Sequence, residues 1–185
     1  MKNCRFFVGI SLLVFILSYG CGVENSEKEM KEAQAAMDQA KGIFAEDLAP
    51  SNYMEAMQAW EQGQAAVKEG KPAKTYFLRA KSRFEKTMTI AKAQGDALSK
   101  EITDMQLSIA TRFDKVRAGL ESGRTSLKIK EQLKPLLAEA EEGKAAVDSM
   151  ASQGNYVKAF KLAKELQTKL YNAELILAGK KPAAQ

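Results

Sequence analysis

An all-α fold follows from three observations. Apolar residues recur at spacings of three and four along nearly the whole chain after Ser26, no stretch alternates apolar and polar residues as a strand would, and the interruptions fall at Gly and Pro. The expected architecture is an elongated antiparallel helical bundle of about five helices, built as two helical hairpins joined by one long helix. A hydrophobic content of 45% with only 4 prolines in 185 residues belongs to a chain that folds, not to a disordered one.

The first twenty residues stand apart from this body. Lys2 and Arg5 make a positive start, Phe6 to Leu17 an apolar run, and Ser18, Tyr19 and Gly20 a short approach to Cys21. A spanning helix needs about 20 apolar residues, and this run is shorter and interrupted by Gly9 and Ser11. Residues 1–20 resemble the type II signal peptide of bacterial lipoproteins, in which a small residue precedes a cysteine that becomes the lipidated first residue. The spacing departs from the usual pattern in one respect: Leu17 lies four residues before Cys21, and Ser18 occupies the place where leucine is customary. The resemblance implies a chain lipid-anchored at Cys21 in the bacterial envelope, with residues 21–25 as a short tether. Gly22 follows the cysteine where enteric lipoproteins retained at the inner membrane carry Asp, which implies the outer membrane, facing the periplasm.

Charge and composition exclude several kinds of function. Without Lys2 and Arg5 the 28 basic residues fall to 26 against 23 acidic ones, a mild excess that is no nucleic-acid signature. The sequence has no histidine, and of its 2 cysteines Cys4 lies in the signal-like segment. Disulfides, thiol nucleophiles, imidazole acid–base chemistry and the commonest zinc sites are thereby removed. No catalytic residue, metal site or cofactor is expected, and the chain reads as a non-enzyme. The charges are unevenly placed: residues 22–62 hold nine acidic and three basic side chains, leaving 14 acidic and 23 basic from residue 63 onward. Such a division suits neighbouring helices with complementary faces. The alternative is a basic surface, with Lys74, Arg79, Arg83 and Lys86 meeting anionic headgroups or wall polymer.

The first helix is expected to open at Ser26 with Glu29 three residues on, a capping box, and to carry Met30, Ala33, Met37, Ala40 and Phe44 as one stripe. Residues 47–50 interrupt it. A second helix opens with Pro50 in its first turn or Asn52 as cap, and Tyr53, Ala56, Trp60, Gly63 and Val67 form its seam. Gly70 and Pro72 make a tight reversal. The longest regular pattern then runs from Phe77 through Phe84, Ala91, Gly95, Ile102, Ile109 and Val116 to Leu120. Taken as one helix, residues 72–122 extend about 75 Å, with Gly95-Asp96 as the place for a bend and Gly123 as the left-handed stop. Ile129 to Met150 give the fourth helix, bent or restarted at Pro135, and Phe160 to Leu177 the fifth. The expected divisions are a first hairpin with the start of the long helix over 26–98, the rest of that helix over 99–124, a second hairpin over 125–178 and a loose tail over 179–185.

The two hairpins read as copies of one another. Residues 61–67 and 141–147 both spell E-x-G-x-A-A-V, and each is followed by a glycine turn, at Gly70 and Gly154, and a basic helix with early aromatics. The second copy has four more residues before its glycine, about one helical turn, so the faces stay in phase. Residues 45–50 (Ala-Glu-Asp-Leu-Ala-Pro) with Ala56, Ala59, Ala65, Ala66, Gly70 and Ala80 resemble an alanine-rich helical domain of unknown function in bacterial envelope lipoproteins, over roughly residues 30–98. That domain often precedes a peptidoglycan-binding OmpA-type domain; none follows here, and wall binding of that kind is not implied. Residues 154–159 (Gly-Asn-Tyr-Val-Lys-Ala) are similar to the turn and second-helix start of a tetratricopeptide repeat, but the repeat period of about 34 residues is missing.

Trp60, Tyr53 and Tyr76 are the aromatic candidates for contact with a partner or ligand, set against a core role for residues on an apolar seam. The function expected is a membrane-anchored, non-enzymatic scaffold or adaptor that contacts other envelope proteins. The alternative is a ligand-binding lipoprotein serving a transporter, with a pocket between the hairpins.

Overall fold

The structure, a computed structural model, describes residues 26–123 and 125–181. The signal-like segment, Cys21 with the rest of the expected tether over 21–25, Arg124 and residues 182–185 lie outside the described residues. Six helices and no strand occur among those described: α1 (Glu27–Gly42), α2 (Ala45–Leu48), α3 (Pro50–Lys68), α4 (Lys74–Glu121), α5 (Leu127–Ser152) and α6 (Tyr156–Leu177).

The helix beyond the expected five is α2, a single turn. The stripe of α1 does not continue to Phe44, because α1 ends at Gly42 and Phe44 adopts a left-handed backbone with φ 55°. An aromatic residue rarely takes that conformation. The reversal it makes carries Ala45 and Leu48 into the core, and that burial offsets the local strain. At the other end of α1 the capping box is not formed: the Ser26 side chain makes no capping hydrogen bond. Glu29 instead faces Lys74 of α4 at 3.7 Å, drawn by a cation that only tertiary packing brings near. Its Oε2 is buried without a hydrogen-bond partner.

α4 runs unbroken through Gly95 for 48 residues, about 72 Å at 1.5 Å per residue. Glycine at 95 serves close packing and not a bend: a Cβ there would lie 3.2 Å from the Tyr156 ring and 3.6 Å from Leu48. Thr87, absent from the apolar stripe, is fully buried on α4. Its hydroxyl donates to the Arg83 carbonyl at 2.7 Å, so burial leaves no polar atom unpaired. The helix does not stop on a left-handed Gly123. Ser122 turns extended, and the hydroxyls of Ser122 and Thr125 both donate to the Gly119 carbonyl, at 2.9 and 2.6 Å. α5 is continuous through Pro135, whose ring sits on an exposed face.

Cross-helix pairs give the directions. Glu29–Lys74 and Glu32–Lys81 advance together, so α1 and α4 are parallel. Tyr53–Phe84 and Trp60–Phe77 run oppositely, so α3 is antiparallel to α4. In the second half Gln106–Asp148 and Arg117–Glu141 make α5 antiparallel to α4, while Tyr156 lies at Gly95 and Leu177 at Gly119, making α6 parallel to it. Each half is therefore an up-down-up three-helix bundle, and α4 is the last helix of the first bundle and the first helix of the second. The first core gathers Met37, Trp60, Phe77 and Phe84 around α4. The second gathers Ile102, Ile109, Phe113, Val147 and Leu166, and a third, smaller cluster of Val116, Leu133 and Ala173 closes the far end. Leu98 touches both larger cores.

The hairpin turns are built alike. Lys71 N–H reaches Ala66 O at 2.8 Å and Gly70 N–H reaches Val67 O at 3.1 Å; Asn155 and Gly154 repeat both bonds to Met150 and Ala151 at 2.9 and 3.0 Å. These are Schellman closures, and they require the left-handed φ of +69° at Gly70 and +78° at Gly154.

Candidate functional site

The cations of the alternative basic surface divide between two sides of α4. At 100° per residue Arg79, Arg83 and Lys86 share one face, and Lys74 lies nearly opposite with Lys81. Lys74 and Lys81 meet Glu29 and Glu32 of α1, the latter at 2.8 Å. Arg83 lies 3.7 Å from the Glu55 carboxylate of α3 and donates to the Glu55 carbonyl at 2.9 Å. Arg79 and Lys86 point to solvent. The acidic first helices and the basic start of α4 are thus complementary faces of one bundle. The hydrogen bond and charge of Lys81 hold the Glu32 carboxyl below its ordinary range and push the Lys81 ammonium up.

The aromatic candidates are chiefly core. Trp60 is 6% exposed and tilts against Phe77, ring centroids 5.3 Å apart. Tyr53 packs edge-on against Phe84 at 5.7 Å. Burial pushes its phenol pKa up, with the Glu46 and Asp38 charges adding to the shift. Tyr76 is half-buried against the same core. Trp60 borders an open groove of about 420 Å³ between α1 and α3 that Met30, Gln34, Asp38 and Gln64 also line. The structure does not bring the three aromatics together around one cavity.

A groove of about 420 Å³ between α4 and α6 went unread in the sequence. Leu107 stands 71% exposed on its wall. Arg112 and Lys115 converge from α4 on Glu174 of α6, each at 3.1 Å, and Arg112 also lies over the Tyr171 ring at 5.4 Å. Leu107 was the available signal, since it lies about 200° around α4 from Ile109 and so off the apolar stripe. Glu174, which decides where the cations point, carries no local signal; its role depends on the register of α6 against α4.

Among the described residues no group of three or more Cys, His, Asp or Glu side chains converges to hold a metal ion, and no described helix is long and apolar enough to cross a membrane. Comparison with protein-family models, with characterised proteins and with solved structures gives no match.

Proposed function

We propose that the chain is a lipid-anchored, non-enzymatic scaffold or adaptor of the bacterial envelope, holding protein partners along a stiff helical body. The observation that carries the reading is the continuity of α4 through both bundles. Two cores packed on one uninterrupted helix resist bending between them, and a rigid body of this length suits placing partners at a set distance from an anchor. Residues 22–25 alone separate Cys21 from Ser26, so a lipid on Cys21 would hold the α1 end of the rod close to the bilayer. The α4/α6 groove offers a contact surface, with an exposed leucine and an ordered charge cluster, and Tyr171 lines a second depression that shares Ser108 and Arg112 with it.

The test is capture of partners from detergent-solubilised envelopes with the wild-type chain, Cys21→Ser and Leu107→Glu. Cys21→Ser is expected to leave the membrane fraction, and Leu107→Glu to remain anchored but lose bound protein. A Cys21→Ser chain that stays on the membrane with the same partners sinks the reading. The groove beside Trp60 lies within the first bundle and not between the hairpins, but it is the place a ligand-binding alternative would use, and because the chain has 1 tryptophan its emission reports on that groove directly. An emission shift on adding envelope small-molecule extract would move the assignment to a ligand-binding subunit.

A further inference from the structure

We propose that the far tip of the rod, where α4 and α6 end and α5 begins, is a docking site for an anionic lipid surface. Leu120, Ile129, Ile176 and Leu177 pack against the third core cluster, which places the start of α5 and the end of α6 at one end of the molecule. That end is opposite the start of α1, because α1, α4 and α6 all run towards it. On it stand Lys128, Lys130, Lys134, Lys180 and Lys181, with Glu121 and Glu131 as the acids of residues 121–134 and 178–181.

The cations gathered at the opposite end are used differently. At the α1 end Lys31, Lys71, Lys74 and Lys81 are each matched to a glutamate at 2.6 to 3.7 Å. None of the five tip lysines makes an ion pair with a described residue. Two of them also oppose local stability: α5 has no acidic residue in its first turn, and Lys128 and Lys130 sit near the positive end of its dipole, where cations destabilise a helix. A cluster that is neither neutralised nor helpful to its own helix is explained by an anion outside the fold.

Leu127 decides which anion. It is 79% exposed, the most exposed large apolar side chain among the described residues, and it stands directly before Lys128 at the first position of α5. A soluble polyanion gives such a side chain nothing to bury against. A bilayer surface takes both parts, the leucine at the acyl boundary and the ammonium groups at the anionic headgroups. The rod would then contact a lipid surface at the end away from Cys21, and the tip's own chemistry does not depend on whether Cys21 carries a lipid.

The chain from Cys21 onward, coupled through that cysteine to a maleimide lipid in nanodiscs of neutral phosphatidylcholine, is mixed with acceptor vesicles of phosphatidylcholine alone or with about one-third phosphatidylglycerol. Recruitment of the anionic vesicles is expected to exceed that of neutral ones by at least about tenfold and to fade with added salt. Lys128→Glu with Lys130→Glu should abolish most of it without unfolding the chain, since acids at that helix end are favourable, and circular dichroism checks this. Leu127→Ser should also weaken recruitment, while Arg79→Glu with Lys86→Glu on the first bundle should not. Equal recruitment of both vesicle types, or an unaffected Lys128/Lys130 variant, overturns the proposal. So does a Leu127→Ser chain of full strength whose vesicles are displaced by soluble polyphosphate or by peptidoglycan fragments, which would make the tip a polyanion site.

Discussion

Gly63 and Gly143 occupy the same place in the two copies of E-x-G-x-A-A-V, and each receives a large side chain from the following helix. A Cβ on Gly63 would lie 2.7 Å from the Phe77 ring, and one on Gly143 would lie 2.7 Å from a Leu166 methyl. Gly63 stands seven residues before the turn glycine and Phe77 seven after; in the second copy the distances are eleven and twelve, so glycine and partner have moved outward together. Alanine would gain helix propensity worth up to about 1 kcal/mol but meet overpacking of about 1–3 kcal/mol. Gly63→Ala is therefore expected to destabilise by about 2 kcal/mol in urea unfolding, because the Phe77 ring is fully buried and has nowhere to go. Gly143→Ala should cost less, since the end of a leucine can turn aside. Gly42, with nothing within 4 Å of a Cβ, is the control in which alanine should be harmless.

The Glu32–Lys81 pair gives a second prediction at this scale. Glu32 titrates below 4.5 because Lys81 donates to it and is positively charged; Lys81 titrates above 10.5 for the reciprocal reason. A lowered carboxyl contributes stability that is present above its unfolded value and lost as pH falls through the folded one. A raised ammonium contributes below its unfolded value and loses it as pH rises through the folded one. The pair is thus engaged throughout the neutral range and weakens at both extremes. Solvent screens it, as both side chains are over a third exposed. In Lys81→Met the Glu32 carboxyl resonance should titrate nearer to 4.5; an unmoved midpoint would show that α1 and α4 do not pair through these residues.

α4 was legible as an element because its apolar period of three to four persists on both sides of Gly95, and periodicity is a local property of the chain. Its use by two bundles was not legible, since a stripe does not name its neighbours. The same distinction explains α1 and α2. Ser26 and Glu29 read as a capping box from their spacing, yet a lysine 45 residues away competes for the glutamate. Phe44 fits the stripe of α1, yet burial of Ala45 and Leu48 favours reversing the chain there. Ala97 is exposed on α4 just past the junction, so Ala97→Pro removes a backbone hydrogen bond there without removing core. It should cost about 3 kcal/mol or more and split thermal unfolding into two transitions, followed by circular dichroism. A single transition with an unchanged midpoint would mean that the bundles are not coupled through the helix.

At the scale of the molecule the shared helix sets the dimensions. A compact chain of this size has a radius of gyration of about 16 Å, whereas a rod as long as α4, about 72 Å, has one above about 20 Å. Small-angle scattering should return the larger value, and a value of about 16 Å would mean that the two bundles fold back on each other. The sequence by itself determined the helical class, the Gly70 and Gly154 turns, the recurrence of two hairpins and the continuity of the apolar stripe through Gly95. Each of these follows from backbone preference or side-chain period within a few residues. Only the tertiary structure decided that α1 lies parallel to α4, that Lys74 and Lys81 spend their charge on Glu29 and Glu32, that Arg112 and Lys115 meet at Glu174, and that the lysines around Leu127 are left unmatched. Those facts depend on the register between helices, which is set by how buried side chains such as Phe77 and Leu166 fit the hollows at Gly63 and Gly143, and a one-dimensional pattern carries no record of that fit.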